Sequence, residues 1–235
     1  MKSKKLEQIQ NTLHERLKPS GWGDKLKFFI LSQDFYQILE TLWQQSADGK
    51  RFTPVIKDIF KAFEECPYKD LKTIFIGQDP YPQAGVADGI SFSCSYTQKA
   101  QPSLRYLLNE VEQTVYPDGW QFNYDLKRWS NQGVLMLNTA LTCQIGKIGS
   151  HITLWKPFII YLLDILGHCN SGLCYVFLGN KAKVWAKHVP SINYKFFVTH
   201  PASAAYKKQK RWDSNNLFNN INKVLTENNG DKIIW

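Results

Sequence analysis

From residue 72 onward, short and nearly continuous apolar runs alternate with stretches of helical spacing: KTIFIG at 72–77, GVLMLN at 133–138, LCYVFLG at 173–179 and KFFVTH at 195–200. Runs that are apolar on both faces must be covered on both sides, and connections of helix length between them allow parallel neighbours. The pattern predicts an α/β fold: a central four-stranded, twisted parallel sheet flanked by helices. Upstream the rhythm is helical. The first ~17 residues read as an amphipathic helix that stops before PSGWG, and FFILSQDFYQILETLW continues in helical spacing through Phe28, Ile30, Leu31, Phe35, Ile38, Leu39 and Leu42. After SADGKRFTP, Thr53 is expected to cap a short helix with Pro54 at its first position and Val55, Ile56, Ile59, Phe60 and Phe63 on its inner face. With no internal repeat or low-complexity segment, one domain over residues 1–235 is expected, residues 1–20 forming an N-terminal helical extension.

Each of the four apolar runs ends on polar residues: Gln78 and Asp79, Asn138, Gly179 and Asn180, and His200. In an open parallel sheet the carboxyl ends of the strands share one edge, and ligands bind there. Residues more than a hundred positions apart would therefore converge. The first of these ends, GQDPYP at 77–82, holds a carboxylate between a glycine and two prolines, which is more than a simple turn requires.

Charge and cysteine content narrow the setting. The chain carries 29 Lys and Arg against 20 Asp and Glu, a net charge of +9 that favours an acidic partner, either nucleic acid or an anionic surface. Cys66, Cys94, Cys143, Cys169 and Cys174 form no CxxC pair and lie mostly in or beside apolar runs, so they read as buried thiols in a reducing compartment. The basic start MKSKK has no apolar stretch behind it, and no run approaches membrane-spanning length, so a soluble intracellular protein without a membrane partner is expected.

No Ser or Cys stands in a nucleophile context, and neither a GxSxG elbow nor a Gly-rich loop ending in Lys-Ser/Thr occurs. Metal-ligand spacing such as HExxH is also missing. The polar strand ends suit a different chemistry. Asp79 could orient a water, the Asn138 amide could read a complementary edge through two hydrogen bonds, and His200 could donate to an oxygen gaining negative charge. Tyr81, held in a loop by flanking prolines, and Phe92 supply aromatic faces beside that amide, which is how proteins hold a flat heterocycle.

These residues resemble the uracil-DNA glycosylases of family 1. GQDPY at 77–81 is similar to the water-activating loop of that family, QPSL at 101–104 to the end of its proline-rich loop and NQGVLMLNTALT at 131–142 to its uracil-reading strand. LGN at 178–180 resembles its Gly-Ser loop and HPAS at 200–203 the start of its DNA-intercalating loop, with GSH at 149–151 and the terminal KIIW also finding counterparts. The resemblance implies a three-layer sandwich and hydrolysis of the bond between uracil and deoxyribose after the base is flipped out of DNA. It implies that Asp79 holds water and stabilises the sugar cation, Gln78 contacts the base through its backbone, Tyr81 excludes the thymine methyl and Phe92 stacks on uracil. Asn138 would pair with O4 and N3, and His200 would donate to O2. Pro82, Ser103, Gly179, Asn180, Ala202, Ser203, Ala204, Tyr206, Lys207 and Lys208 would meet the DNA. Neither metal nor cofactor is implied. Expected partners are uracil-containing single- and double-stranded DNA and a protein inhibitor that mimics DNA, with the enzyme a monomer.

The chain also departs from that family. Pro82 stands where most members carry a histidine, Ala204 where they have an intercalating leucine, and Ala202, Ala205 and Asn180 where they have serines. Divergent viral members resemble it here. Tyr206 is an alternative wedge, and YKKQKRW at 206–212 adds four cations beside it, with Lys181 and Lys183 able to act similarly. Two other readings remain open: a DNA-binding accessory subunit of a replication complex, of processivity type, with secondary glycosylase activity, and a glycosylase for another damaged base.

Overall fold

The computed structural model describes residues 2–97 and 99–235, with all their side chains except those of Lys2 and Cys169. Apolar residues at helical spacing produce α1 (Lys2–Leu17), α2 (Trp22–Ile30) and α3 (Gln33–Ala47). The run expected to continue from Phe28 to Leu42 is broken in its middle, where Leu31 closes α2 and the Ser32 hydroxyl accepts the Phe35 N–H to start α3. Phe28 is consequently 81% exposed and Leu31 40%, whereas Phe35, Ile38, Leu39 and Leu42 are buried.

The expectation at Thr53 also fails. Phe52–Thr53 forms a short strand, β1, whose Thr53 pairs with Cys143 in an antiparallel ladder. The partner lies ninety residues downstream, so the local capping pattern carried no sign of it. A 3-10 turn at Ile56–Asp58 and the short α4 (Lys61–Glu64) follow. Ile59, Phe60 and Phe63 face inward as expected, but Val55 is 54% exposed.

The rest of the chain alternates as its rhythm implies: β2 (Thr73–Gly77), α5 (Pro102–Val115), α6 (Lys127–Ser130), β3 (Val134–Asn138), β4 (Cys143–Gln144), α7 (Ile152–Cys169), β5 (Cys174–Leu178), α8 (Asn180–Lys183), β6 (Tyr194–Val198), α9 (Pro201–Tyr206) and α10 (Leu217–Glu227). The main sheet has four strands in the order β3-β2-β5-β6, and every pairing is parallel. β2 and β5 are buried along their whole length and the edge strand β3 along all but its last residue, whereas the opposite edge strand β6 is partly exposed throughout. Its run KFFVTH is thus less enclosed than its composition suggests.

One aromatic cluster joins the helices and a second reaches the sheet. Phe60 meets Phe35, Phe63, Trp155 and Phe158, and Trp235 meets Phe75, Trp129 and Phe218, which gives the terminal KIIW a packing role. Cys66, Cys94, Cys143 and Cys174 are buried free thiols, and the side chain of Cys169 lies outside the described residues. Among the described residues, no helix is long and apolar enough to cross a membrane.

The strand order matters for function. β2 comes first in the sheet, β3 is added on one side of it and β5 on the other, so the direction of winding reverses at β2. Such a reversal opens a crevice beyond the carboxyl ends of the strands.

Candidate active site

β2 ends at Gly77, directly opposite Asn138 at the end of β3. Glycine is needed there because a Cβ would fall 2.6 Å from Asn138 Oδ1 and 3.1 Å from Ser91 Oγ. The chain then leaves the sheet without losing its ties to it. The Thr139 and Ala140 N–H groups donate to the carbonyls of Gly77 and Gln78, at 3.1 and 2.9 Å. Those bonds fix where Asp79 projects.

The Asp79 carboxylate accepts the N–H of Gly149, a residue with φ of 77°, in the left-handed region that glycine adopts without penalty. Burial pushes the Asp79 carboxyl above its usual range, while the Gly149 N–H and the Gln78 side chain favour the charged form and limit the rise. Pro80 and Pro82 confine Tyr81 between them, and the Pro82 carbonyl accepts the Gly146 N–H at 2.9 Å. Tyr81 donates its hydroxyl to the Phe92 carbonyl at 3.0 Å.

Phe92 holds a left-handed backbone at φ of 67°, which costs a non-glycine residue about 1–3 kcal/mol and needs support from around it. Asp88 provides that support. This fully buried carboxylate accepts the N–H groups of Ile90 and Ser95 and the hydroxyls of Ser93 and Ser95, closing the loop around Phe92.

His200 occupies the N-cap of α9, where its Nδ1 accepts the Ala202 N–H at 3.1 Å. An accepting Nδ1 carries no proton, so the neutral ring bears its hydrogen on Nε2. Burial pushes the imidazole pKa down to about 4, which keeps the ring neutral at physiological pH. The ring lies 5.4 Å from that of Phe92. Gly179 makes room for it, since a Cβ there would stand 3.1 Å from the His200 Cβ.

A cavity of about 570 Å³ lies at this edge, and Gln78, Asp79, Tyr81, Phe92, Asn138 and His200 all line it. Pro82, Ser103, Ala202, Ser203 and Tyr206 extend its wall. Gly179, Asn180, Lys207 and Lys208 lie outside the lining. The expected surface role of Ala204 meets a physical obstacle: its side chain is 0% exposed, turned into the core. Tyr206, two residues on, is 80% exposed. The site can hold a flat ring against aromatic faces, offer it an amide and an imidazole N–H, and place a carboxylate beside it. Among the described residues, no group of three His, Cys, Asp or Glu is placed to hold a metal ion. Three further residues shape the site without a clear mark in the sequence: Gly149, Asp88 and Ser91. GSH was the only sign of the first, and the others sit in the small-residue run before and after Ile90 without a distinguishing pattern.

The fold and cavity define an α/β protein with an aromatic- and amide-lined cavity at the switch point of a parallel sheet. The family model of the uracil DNA glycosylase superfamily matches residues 63–226. A uracil-DNA glycosylase of Streptococcus uberis is 33% identical, with 92% of this chain and 98% of that protein covered. Uracil-DNA glycosylase 1 of Listeria innocua is 30% identical, with 91% and 96% covered. Among solved structures, mimivirus uracil-DNA glycosylase superposes with a TM-score of 0.80 at 23% identity, covering 92% of this chain and 86% of that one. A structure of mimivirus UNG Y322L in complex with UGI gives a TM-score of 0.80 at 24% identity, covering 93% and 90%. This chain belongs to the uracil DNA glycosylase superfamily.

Proposed function

We propose that the protein hydrolyses the N-glycosidic bond between uracil and deoxyribose in DNA and so initiates base excision repair. A glycosidic bond inside a stacked duplex is out of reach, so the nucleotide is flipped into the cavity first. The observation that carries this reading is the pairing of a half-buried carboxylate, Asp79, with a neutral imidazole, His200, in one cavity that also holds the Asn138 amide.

Each group then has a role that its chemistry suits. Phe92 stacks on uracil, the Asn138 amide pairs with O4 and N3, and Tyr81 occupies the space that a thymine methyl would need. As the bond from C1′ to N1 breaks, its electron pair leaves on the base and charge gathers on O2, where His200 Nε2–H donates. Asp79 stabilises the cationic sugar and holds the water that adds to C1′, whose proton passes through the carboxylate to solvent. With one carboxylate at the centre, the acid-and-nucleophile pair of many glycoside hydrolases does not apply. The reaction needs neither metal nor cofactor.

DNA, single- or double-stranded, would run across the cavity mouth. Ser103, Ser203, Ala202 and Pro82 lie on the wall beside it, and with Gly179, Asn180, Lys207 and Lys208, which are outside the lining, they are the phosphate contacts of this reading. The mimivirus UNG Y322L structure contains UGI, and a protein presenting DNA-like charge to this same mouth is the inhibitor class we propose. The enzyme reading is preferred to an accessory subunit because relatives of nearly the same length are uracil-DNA glycosylases. The test is direct: incubation with a uracil-containing oligonucleotide, followed by alkali, should break the strand at uracil. An intact strand would overturn the proposal.

A further inference from the structure

A carboxamide has nearly the same shape when turned by 180°, but the turn exchanges an acceptor for two donors. In one orientation the Asn138 amide suits uracil, whose O4 accepts and whose N3–H donates. In the other it suits cytosine, whose N4 amino group donates and whose N3 accepts. Discrimination between these bases therefore needs something that holds the amide one way round.

Ser91 is placed to do so. Its hydroxyl donates to Asn138 Oδ1 at 2.8 Å. The serine is 3% exposed, and among the described residues its hydroxyl has no other hydrogen-bond partner. With the amide turned, Oγ could accept from Nδ2, but the hydroxyl proton would be buried without an acceptor. In the observed orientation Oδ1 keeps a second lone pair for N3–H, and Nδ2, with no partner among the described residues, keeps its donors for O4. Gly77 permits the arrangement by leaving both Oδ1 and Oγ room beside the end of β2.

We propose that Ser91 is a positioning residue that fixes the polarity of the Asn138 amide and thereby sets the preference for uracil over cytosine. The proposal rests on the uracil-excising reading of the site. It is tested by measuring single-turnover release of uracil and of cytosine from matched oligonucleotides for wild type, Ser91→Ala, Asn138→Ala and the double variant.

Ser91→Ala should lower the uracil rate about tenfold and narrow the uracil-to-cytosine ratio. In the Asn138→Ala background, where no amide remains to orient, the same change should alter the uracil rate less than about twofold. A Ser91→Ala enzyme with wild-type rate and ratio would overturn the proposal, as would an equal loss in both backgrounds, which would mark a merely structural role. A wild-type enzyme that releases no uracil would instead overturn the reading of the site, and this inference with it.

Discussion

The proposed mechanism requires Asp79 to be charged in a place that disfavours charge. Burial is the dominant influence and raises its pKa above the usual carboxylate value, so the folded state binds a proton more readily than the unfolded chain does. The ionised carboxylate therefore costs folding stability at neutral pH, a cost that disappears as pH falls below the unfolded value. Asp79→Asn should raise the melting temperature while slowing uracil release by about two to four orders of magnitude. Calorimetry and single-turnover assays on the same preparation would check this, and an equal melting temperature would contradict the burial argument. His200 behaves in the opposite way. Its pKa is pushed from 6.5 to about 4 by burial, so the stability it contributes is complete above 6.5 and lost as pH falls towards 4. His200→Gln should flatten the dependence of melting temperature on pH across that window. A slope equal to that of wild type would mean that the imidazole is charged in the folded protein.

The loop that carries Asp79 depends on a second element that touches it from far away in the chain. The Gly149 N–H, between β4 and α7, reaches the Asp79 carboxylate across seventy residues of sequence. A Cβ at Gly149 would meet Ile152 and Gln78 only at 3.5 and 3.6 Å, so the space is available and the obstacle is the left-handed backbone. Moving a non-glycine residue out of that region recovers about 1–2 kcal/mol, which draws the N–H away from the carboxylate. Gly149→Ala should lower the rate of uracil release and move the acid limb of its pH profile upward, because Asp79 loses a donor that favours its charged form. An unmoved acid limb would remove Gly149 from this role. The same contact shows where sequence reading stops. The four sheet strands, with the polar ends that carry Gln78, Asp79, Asn138 and His200, were legible because uninterrupted apolar runs and their punctuation are local signals. The β1–β4 ladder was not, since Thr53 beside Pro54 looks the same as a helix start whether or not Cys143 lies opposite. The break at Ser32 was hidden for a related reason: apolar spacing continues through Leu31, and the new helix shows itself in the extended Ser32 backbone and the hydroxyl bond to Phe35. Ser91 and Asp88 act through contacts formed after the loop has folded, so their roles had no periodic trace.

Charge and shape across the whole molecule decide how DNA is gripped. The net charge of +9 attracts any polyanion, but a position near the cavity gives some cations a more specific part. Arg211 lies 3.7 Å from the buried Glu110 carboxylate, so part of its charge is spent within the fold. Lys207 and Lys208 are exposed and carry no ion pair among the described residues, which leaves them free for phosphates. Lys207→Ala should weaken single- and double-stranded DNA binding alike and reduce the slope of log affinity against log salt by about 1. Tyr206 should behave differently, because a side chain that fills the gap left by a flipped nucleotide matters only where there is a stack to refill. Tyr206 is 80% exposed on the cavity wall, so we propose it as the side chain that fills that gap, whereas Ala204 is enclosed in the core. Tyr206→Ala should therefore slow release from duplex DNA about tenfold and from single strands less than about twofold. Ala204→Leu should not supply a wedge; forcing a larger side chain into a filled core should instead cost about 1–3 kcal/mol of stability. Equal losses on both substrates for Tyr206→Ala, together with faster duplex cleavage by a stable Ala204→Leu enzyme, would return the wedge to position 204 and require α9 to turn when DNA binds.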